Sequence, residues 1–219
     1  LPNLYYSYGY SYDQLLDGLS FLGLNYEKFI ELFTAQVQSI YGIDTRKTYF
    51  DCTNFYFEID REDDFRKKGP SKEHRKDPIV GLGLLLDSHQ IPIGMKMYPG
   101  NEPEKPVLRE VINNLKKQNN ITGKTIHVAD KGLNCAQNIA FSKASGDGYL
   151  FSKSVKGLPK KEKEWVLLDQ GFNEVKDKKG RVLYRYKSCV DKFPYSVEHE
   201  GKTITVNLTE KRLLTYNPT

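Results

Sequence analysis

The chain has 219 residues, which is long enough for one large domain, or for a domain with an insertion, around a sizeable core. Its composition, 38% hydrophobic and 28% charged residues, excludes a disordered chain, and no apolar run approaches the roughly 20 residues of a membrane-spanning helix. A net charge of +5 is compatible with a polyanionic partner, and three widely spaced cysteines favour a reducing, cytoplasmic location.

The first predicted element is a helical segment over residues 11–41. Ser11 is a candidate N-cap, and apolar residues recur at helical spacing on both sides of Gly23. We expect this N-terminal segment, residues 1–44, to pack against the main domain. Because the chain begins with Leu1 rather than Met, we also expect it to be part of a longer protein.

Strands and helices then alternate through a predicted core over residues 45–155. Periodicity and turn residues predict five strands and two helices: strands over 48–58, 79–87, 91–98, 125–130 and 148–152, and helices over 103–119 and 134–144. The charged segment 60–78 is predicted to be a loop. This order indicates an α/β fold with a mixed sheet and flanking helices, as in RNase H-like proteins.

The pattern of predicted elements changes after Lys153. Short alternating strands are predicted over 165–168, 173–176, 182–187, 195–198, 203–207 and 213–216. Glycines in the intervening segments supply turns. We therefore expect a β-rich insertion subdomain over residues 156–219. Basic residues cluster at 66–76, 153–163 and 176–181, which favours either solvated loops or contacts with a polyanion.

Two aspartates carry the strongest functional signal in the sequence. Asp51 and Asp130 each stand at the end of an apolar, strand-like run, and the order of elements between them predicts that their strands are neighbours. Paired carboxylates on adjacent strands are what two-metal phosphoryl-transfer sites require. Magnesium prefers such hard oxygen ligands and needs few of them from the protein. The alternative is that both are ordinary strand-end aspartates.

Several segments resemble, in the expected order, the motifs of bacterial insertion-sequence transposases of the DDE class. The segment around Asp51, YFDCTNFYFE, resembles the first-aspartate motif, and VADKGLN around Asp130 resembles the second. Between them, GPSKEHRKD is similar to the loop after the first motif, GLGLLLD and IPIG to the hairpin, and PGNEPE to the helix entry. Together these motifs cover residues 45–155.

The resemblance implies a cut-and-paste DNA transposase with an RNase H-like core. Asp51 and Asp130 would be the first two metal-binding acids, with Mg²⁺ or Mn²⁺ as cofactor. Such enzymes cleave double-stranded DNA at the element ends and join the freed 3′-hydroxyl to target DNA. They commonly act as dimers that pair both ends, and a bacterial enzyme would be cytoplasmic and nucleoid-associated. The β-rich stretch after Lys153 corresponds to the family's insertion before its third acid.

Other polar residues have two interpretations each. Ser71, Lys72, Arg75 and Lys131 are candidate contacts to DNA phosphates, because Lys and Arg supply most backbone anchoring to DNA. The alternative for all four is an ordinary exposed, charged segment. Helix capping explains Asn101 and Glu104, and packing on the sheet explains His127.

The third acid of the family is a glutamate on a helix that follows the β insertion. The sequence ends at Thr219, before any such helix, and Glu198, Glu200 and Glu210 fall in strand or turn context. We therefore expect this chain to lack the third carboxylate, which would impair a site that works as a unit. Two alternatives stay open: a catalytically incomplete, DNA-binding remnant of a transposase, and an RNase H-like nuclease.

Overall fold

The fold combines five α-helices with eight strands in the part of the chain that the structure, a computed structural model, describes: residues 9–72, 74, 76–118, 121 and 123–217. In chain order the elements are α1 Tyr12–Leu24, α2 Tyr26–Tyr41, β1 Lys47–Tyr56, β2 Ile79–Leu86, β3 Pro92–Pro99, α3 Glu104–Lys117, β4 Ile126–Ala129, α4 Ala136–Ala144, β5 Gly148–Phe151, a 3₁₀ turn Val155–Gly157, α5 Lys160–Leu167, β6 Asn173–Lys176, β7 Val182–His199 and β8 Lys202–Tyr216. None of the described helices is long and apolar enough to cross a membrane. The chain divides into two compact units at the bond between Val128 and Ala129.

Strands β1 to β5 form one mixed sheet in the order β3-β2-β1-β4-β5. The β1–β2 and β2–β3 pairs are antiparallel. Strand β1 therefore lies at the centre of the sheet, with β2 on one side and β4 on the other. The predicted α/β class, a mixed sheet with flanking helices, is confirmed, and so is the adjacency of the strand that carries Asp51 and the strand that leads to Asp130.

Helix α3 supplies much of the core of the first unit. Its buried residues are the five that the sequence periodicity predicts: Val107, Leu108, Val111, Ile112 and Leu115. Glycines on the sheet let this helix approach closely. A Cβ added to Gly83 of β2 would lie 2.8 Å from Val107, and one added to Gly94 of β3 would lie 2.8 Å from Leu115.

The two N-terminal helices differ in how they pack. Helix α1 begins at Tyr12 and has Ser11 as its N-cap, as predicted, in a capping box in which Ser11 and Gln14 satisfy each other's backbone amides. Helix α2 buries Thr34 and Val37, and the Thr34 hydroxyl donates to the carbonyl of Ile93 on β3, 3.3 Å away. Helix α1 buries none of its residues. The expectation that the N-terminal segment packs against the main domain therefore holds for α2, whereas α1 leaves all of its residues exposed or half-buried.

In the second unit, β6, β7 and β8 form a three-stranded antiparallel sheet. The β-rich character predicted for this region is observed, but two details differ. The four separate strands predicted between residues 182 and 216 are two long ones, β7 and β8, paired from Arg185–Tyr216 to His199–Lys202. Among the described side chains of β7 and β8 only Lys187, Val197 and Glu210 are buried, so these strands carry little continuous apolar alternation that could mark their full length.

The strand predicted over 165–168 is wrong, because Trp165 lies in helix α5. Residues 160–167 contain three Lys, two Glu and one Leu, which favour helix more strongly than the single Trp and Val favour strand. A side chain also satisfies carbonyl groups at the C-terminal end of α5, since the buried Lys187 ammonium donates hydrogen bonds to the carbonyls of Trp165 and Leu168. A cation at this end complements the helix dipole.

Candidate active site

Asp51 lies inside β1, and not at its end as the sequence suggests, since β1 continues to Tyr56. Its register partner is Leu84 of β2. The residues on either side, Phe50 and Cys52, are 3% and 1% exposed, whereas the Asp51 side chain is 72% exposed. The strand interior thus fixes the backbone, while the alternation of side chains directs the carboxylate to solvent.

Lys72 lies beside this carboxylate. Oδ1 of Asp51 accepts a hydrogen bond from the Cys52 amide at 2.8 Å and lies 3.5 Å from Nζ of Lys72. The same ammonium donates to the carbonyl oxygen of Cys52. The structure therefore brings together two of the residues predicted for the site, the carboxylate of Asp51 on the sheet and the positively charged Lys72 from the charged loop.

The base of that loop is tied to the sheet. Lys67 and Ile79 exchange two backbone hydrogen bonds, at 3.1 and 2.8 Å. Gly69 lies against Gly100, so closely that a Cβ on Gly69 would come within 1.9 Å of the Gly100 carbonyl oxygen. These glycines belong to the GPSKEHRKD and PGNEPE segments, and their close approach explains why two distant motifs both require glycine.

Asp130 directly follows β4, as predicted, and is exposed. Its Oδ1 accepts a hydrogen bond from the Gly132 amide at 2.8 Å, and its carbonyl accepts one from Leu133 at 3.3 Å. A Cβ on Gly132 would lie 3.1 Å from Oδ1, which is tight for any larger residue. Gly132 therefore shapes the turn that holds the carboxylate, and Lys131 is exposed beside it.

His127 belongs to the framework of the sheet. It is 1% exposed, and its Nδ1 is 2.8 Å from the hydroxyl of Thr48, which is also buried. This bond joins β4 to β1 through side chains that the interior shields from water, where hydrogen bonds are strongest. The packing interpretation of His127 is thus correct, and Thr48 is the partner that sequence reasoning missed.

Beneath Asp51, on the opposite face of β1, lie two buried polar groups that the sequence did not single out. Burial raises the pKa of the Cys52 thiol to about 12, and burial likewise raises the pKa of the Tyr98 hydroxyl. The Tyr98 ring lies on Gly81, where a Cβ would be 2.1 Å from it. Within the described part of the chain, the Tyr98 hydroxyl makes no hydrogen bond of normal geometry, although the weakly polar Cys52 thiol is beside it.

The other predicted contacts are placed less specifically. Ser71 is half-buried in the loop beside Lys72, and Arg75 lies outside the described residues. Asn101 is exposed and does not cap α3, because the N-cap position is Pro103, which has no side-chain acceptor. Glu104 is the acidic residue of the first turn, where a negative charge complements the helix dipole.

Glu210 is held in a network of the second unit. Its side chain is 8% exposed and accepts hydrogen bonds from the hydroxyls of Tyr149 and Tyr195, the latter at 2.8 Å. Arg212 pairs with it at 3.1 Å and also contacts Glu162. Both oxygens of the Glu210 carboxylate thus accept hydrogen bonds from protein donors.

Each of the two aspartates, taken by itself, has donor chemistry that fits a divalent cation. Asp51 and Asp130 offer exposed carboxylate oxygens, which are hard ligands of the kind Mg²⁺ selects. Among the described residues there is no group of three or more His, Cys, Asp or Glu side chains that could hold a metal ion. Glu198 and Glu200 are exposed on β7 and at the turn that follows it.

Comparison with known proteins finds structural likenesses only. No protein-family model and no curated protein matches the sequence. The chain is similar to the Mos1 transposase in a paired-end complex with the left transposon end, with 12% identity and a TM-score of 0.35 over 55% of this chain and 39% of that one. It is also similar to the piggyBac transposase in a synaptic complex with hairpin DNA, with 12% identity and a TM-score of 0.39 over 78% of this chain and 33% of that one. The chain thus spans between a third and two-fifths of the length of these two transposases.

Proposed function

We propose that this chain is part of the catalytic core of a DDE-class DNA transposase, which cleaves DNA at the ends of an insertion sequence and transfers the strands to a target. One observation carries the proposal: Asp51 projects from the central strand β1, and Asp130 follows β4, which is the neighbour of β1 in the sheet. The order of motifs in the sequence supports the same assignment. Its partners would be element-end and target DNA, bound by a homodimer in the bacterial nucleoid.

Each residue of the site has a separate task in this proposal. Asp51 and Asp130 would hold Mg²⁺ or Mn²⁺, ions that activate a water or 3′-hydroxyl and stabilise the leaving oxygen at a phosphodiester. The sheet holds Asp51 in place, and the Gly132 amide orients the Asp130 carboxylate. Lys72, Arg75 and Lys131, with Ser71, would neutralise and position the DNA backbone. We assign the third carboxylate to none of the described glutamates.

The test uses the full-length protein and DNA that carries the two ends of its own element. Asp51→Asn and Asp130→Asn should each lower cleavage and joining by at least about a thousandfold, because the metal-binding acids act as a unit. DNA affinity should change little, since neither variant removes a positive charge. Asp191→Asn is the matched control, because Asp191 is also an exposed strand residue whose carboxylate accepts the next residue's amide. Wild-type cleavage by either active-site variant would contradict the proposal.

A second candidate is a transposase remnant that binds DNA but does not cut it. The observation in its favour is the lack, among the described residues, of a cluster of three potential metal ligands. The same assay separates the candidates. Binding of the end DNA without cleavage in Mg²⁺ or Mn²⁺ identifies the remnant, and cleavage without joining of the 3′-end identifies a nuclease.

A further inference from the structure

The ion pair at Asp51 involves the carboxylate that the proposed function assigns to a metal ion. Nζ of Lys72 lies 3.5 Å from Oδ1 of Asp51, with the Lys72 side chain 51% exposed and that of Asp51 72% exposed. Oδ1 already accepts the Cys52 amide. The ammonium also donates to the Cys52 carbonyl, so it is held against the strand by two different oxygens.

A divalent cation and this ammonium are incompatible neighbours. Mg²⁺ binds carboxylate oxygens at roughly 2.0–2.1 Å and keeps several waters around it. An ammonium within hydrogen-bonding distance of the same carboxylate would intrude on those waters, and the two positive charges would repel each other. The Asp51 carboxylate can therefore bind either the divalent cation or the Lys72 ammonium closely, but not both at once.

We propose that Lys72 and the divalent cation are alternative partners of Asp51, and that metal binding transfers the Lys72 ammonium from this carboxylate to a phosphate oxygen of the DNA. This inference rests on the proposed function for the identity of the metal site and of the DNA. It adds an internal counter-ion that stabilises Asp51 before the metal arrives. It also makes the metal and the DNA bind cooperatively.

The loop is built for such an exchange. Its base is fixed, because Lys67 is hydrogen-bonded to Ile79 and Gly69 is wedged against Gly100. Lys72 follows only three residues after Gly69, so its side chain can swing about an anchored point without loss of the sheet contacts. An ion pair this exposed contributes little stability in water. Breaking it is therefore a small cost against the binding of a divalent metal.

Reciprocal coupling follows from the exchange. A DNA phosphate that attracts Lys72 removes the competitor from Asp51, so DNA should raise the affinity for metal. By linkage, the metal must raise the affinity for DNA by the same factor. A lysine that served only to bind phosphate would not produce this coupling through Asp51.

The experiment measures Mn²⁺ binding to the full-length protein by electron paramagnetic resonance, without DNA and then with a duplex of the element end. Without DNA, Lys72→Met should tighten Mn²⁺ binding about two- to fivefold, the range expected for an exposed ion pair. Lys72→Arg, which keeps the charge, should not. Lys76→Met, which removes an exposed charge from the same loop, controls for general electrostatics and should have a smaller effect. Addition of DNA should tighten Mn²⁺ binding in the wild type and less so in Lys72→Met.

The outcomes separate the two proposals. If Asp51→Asn weakens Mn²⁺ binding but Lys72→Met leaves it unchanged or weaker, the exchange is refuted and the metal site stands. The exchange is also refuted if Lys76→Met has as large an effect as Lys72→Met. If Asp51→Asn leaves Mn²⁺ binding unaltered, the metal site itself is wrong.

Discussion

Replacement of Glu210 tests whether its network is structural. Glu210→Ala would leave the hydroxyls of Tyr149 and Tyr195 without their acceptor and would remove one of the two carboxylates paired with Arg212. Loss of one partner from a buried ion pair costs about 3–5 kcal/mol. Because Arg212 keeps its contact with Glu162 and is 16% exposed, we expect the lower end, about 3 kcal/mol.

Glu210→Gln is the milder version of the same change. The amide keeps the shape and one acceptor oxygen but turns charge-assisted hydrogen bonds into neutral ones, for a loss of about 2 kcal/mol. With a urea m-value of roughly 1–3 kcal/mol/M, the unfolding midpoint should fall by roughly 1 M.

The assay has a built-in reporter. Trp165 is the only tryptophan of the chain, and it lies in the second unit beneath the Lys187 ammonium, which is 5.1 Å from its ring centroid. Urea unfolding followed by Trp165 fluorescence therefore reports on the unit that contains Glu210. Glu198→Gln, an exposed change on the same ribbon, should shift stability by no more than about 0.5 kcal/mol.

A wild-type urea midpoint for Glu210→Gln would refute the reasoning. If that variant also lost DNA cleavage, Glu210 would have to be reassigned as a reacting acid. A shifted midpoint with cleavage retained would confirm that the carboxylate serves the fold. The assay thus distinguishes a structural glutamate from the third acid of the site.

Three further predictions concern Tyr98 and Cys52, the buried groups beneath Asp51. Tyr98→Phe removes a buried hydroxyl without a normal hydrogen bond and should raise the free energy of unfolding by up to about 1 kcal/mol. Tyr195→Phe removes a hydroxyl that donates to Glu210 and should lower the free energy of unfolding by about 1.5–3 kcal/mol. Thermal unfolding of the two variants in parallel measures both changes, and an equal loss of stability in both would refute the distinction. At pH 8, iodoacetamide should alkylate Cys135 but not the buried Cys52, as read by mass spectrometry of the folded protein. Because the pKa of Cys52 rises from 9.0 to about 12 on folding, the stability that the neutral thiol contributes is complete below pH 9 and is lost as the pH rises from 9 towards 12. Between pH 9 and 12 the urea midpoint should therefore fall more steeply for the wild type than for Cys52→Ala. Equal slopes for the two proteins would refute this pH dependence.

Much of the fold follows from local pattern, and helix α3 shows why. Its five buried residues recur at helical spacing, so the sequence identifies both the helix and the face that packs. Strand β2 is apolar throughout, and the structure leaves none of its residues exposed, as expected of an interior strand covered on both faces. Such local patterns do not reveal which strands pair when they are far apart in the sequence. The four short strands predicted after Val182 are in fact two long strands, β7 and β8. Their continuity is visible only in the backbone pairing between them, because the apolar–polar alternation of the sequence is interrupted along each strand.

The candidate site was predictable in kind but not in its contacts. Motif order indicates Asp51 and Asp130, and the strand predicted over 48–58 matches β1 to within two residues, but Asp51 lies inside this strand and not at the end of it. The pair between Lys72 and Asp51 spans 21 residues and depends on how the charged loop folds back. The partners of Glu210 lie up to 61 residues away, so no local signal could reveal them.

The position of Asp51 inside β1 ties its chemistry to the strand register. A slip of one residue against β2, where Asp51 faces Leu84, would turn the carboxylate inward and bring Phe50 and Cys52 out to water. A single-codon insertion or deletion in this strand would therefore ruin the core as well as the acid. Selection against misfolded protein alone should purge such length changes, so this stretch of the gene is expected to tolerate substitutions far better than insertions.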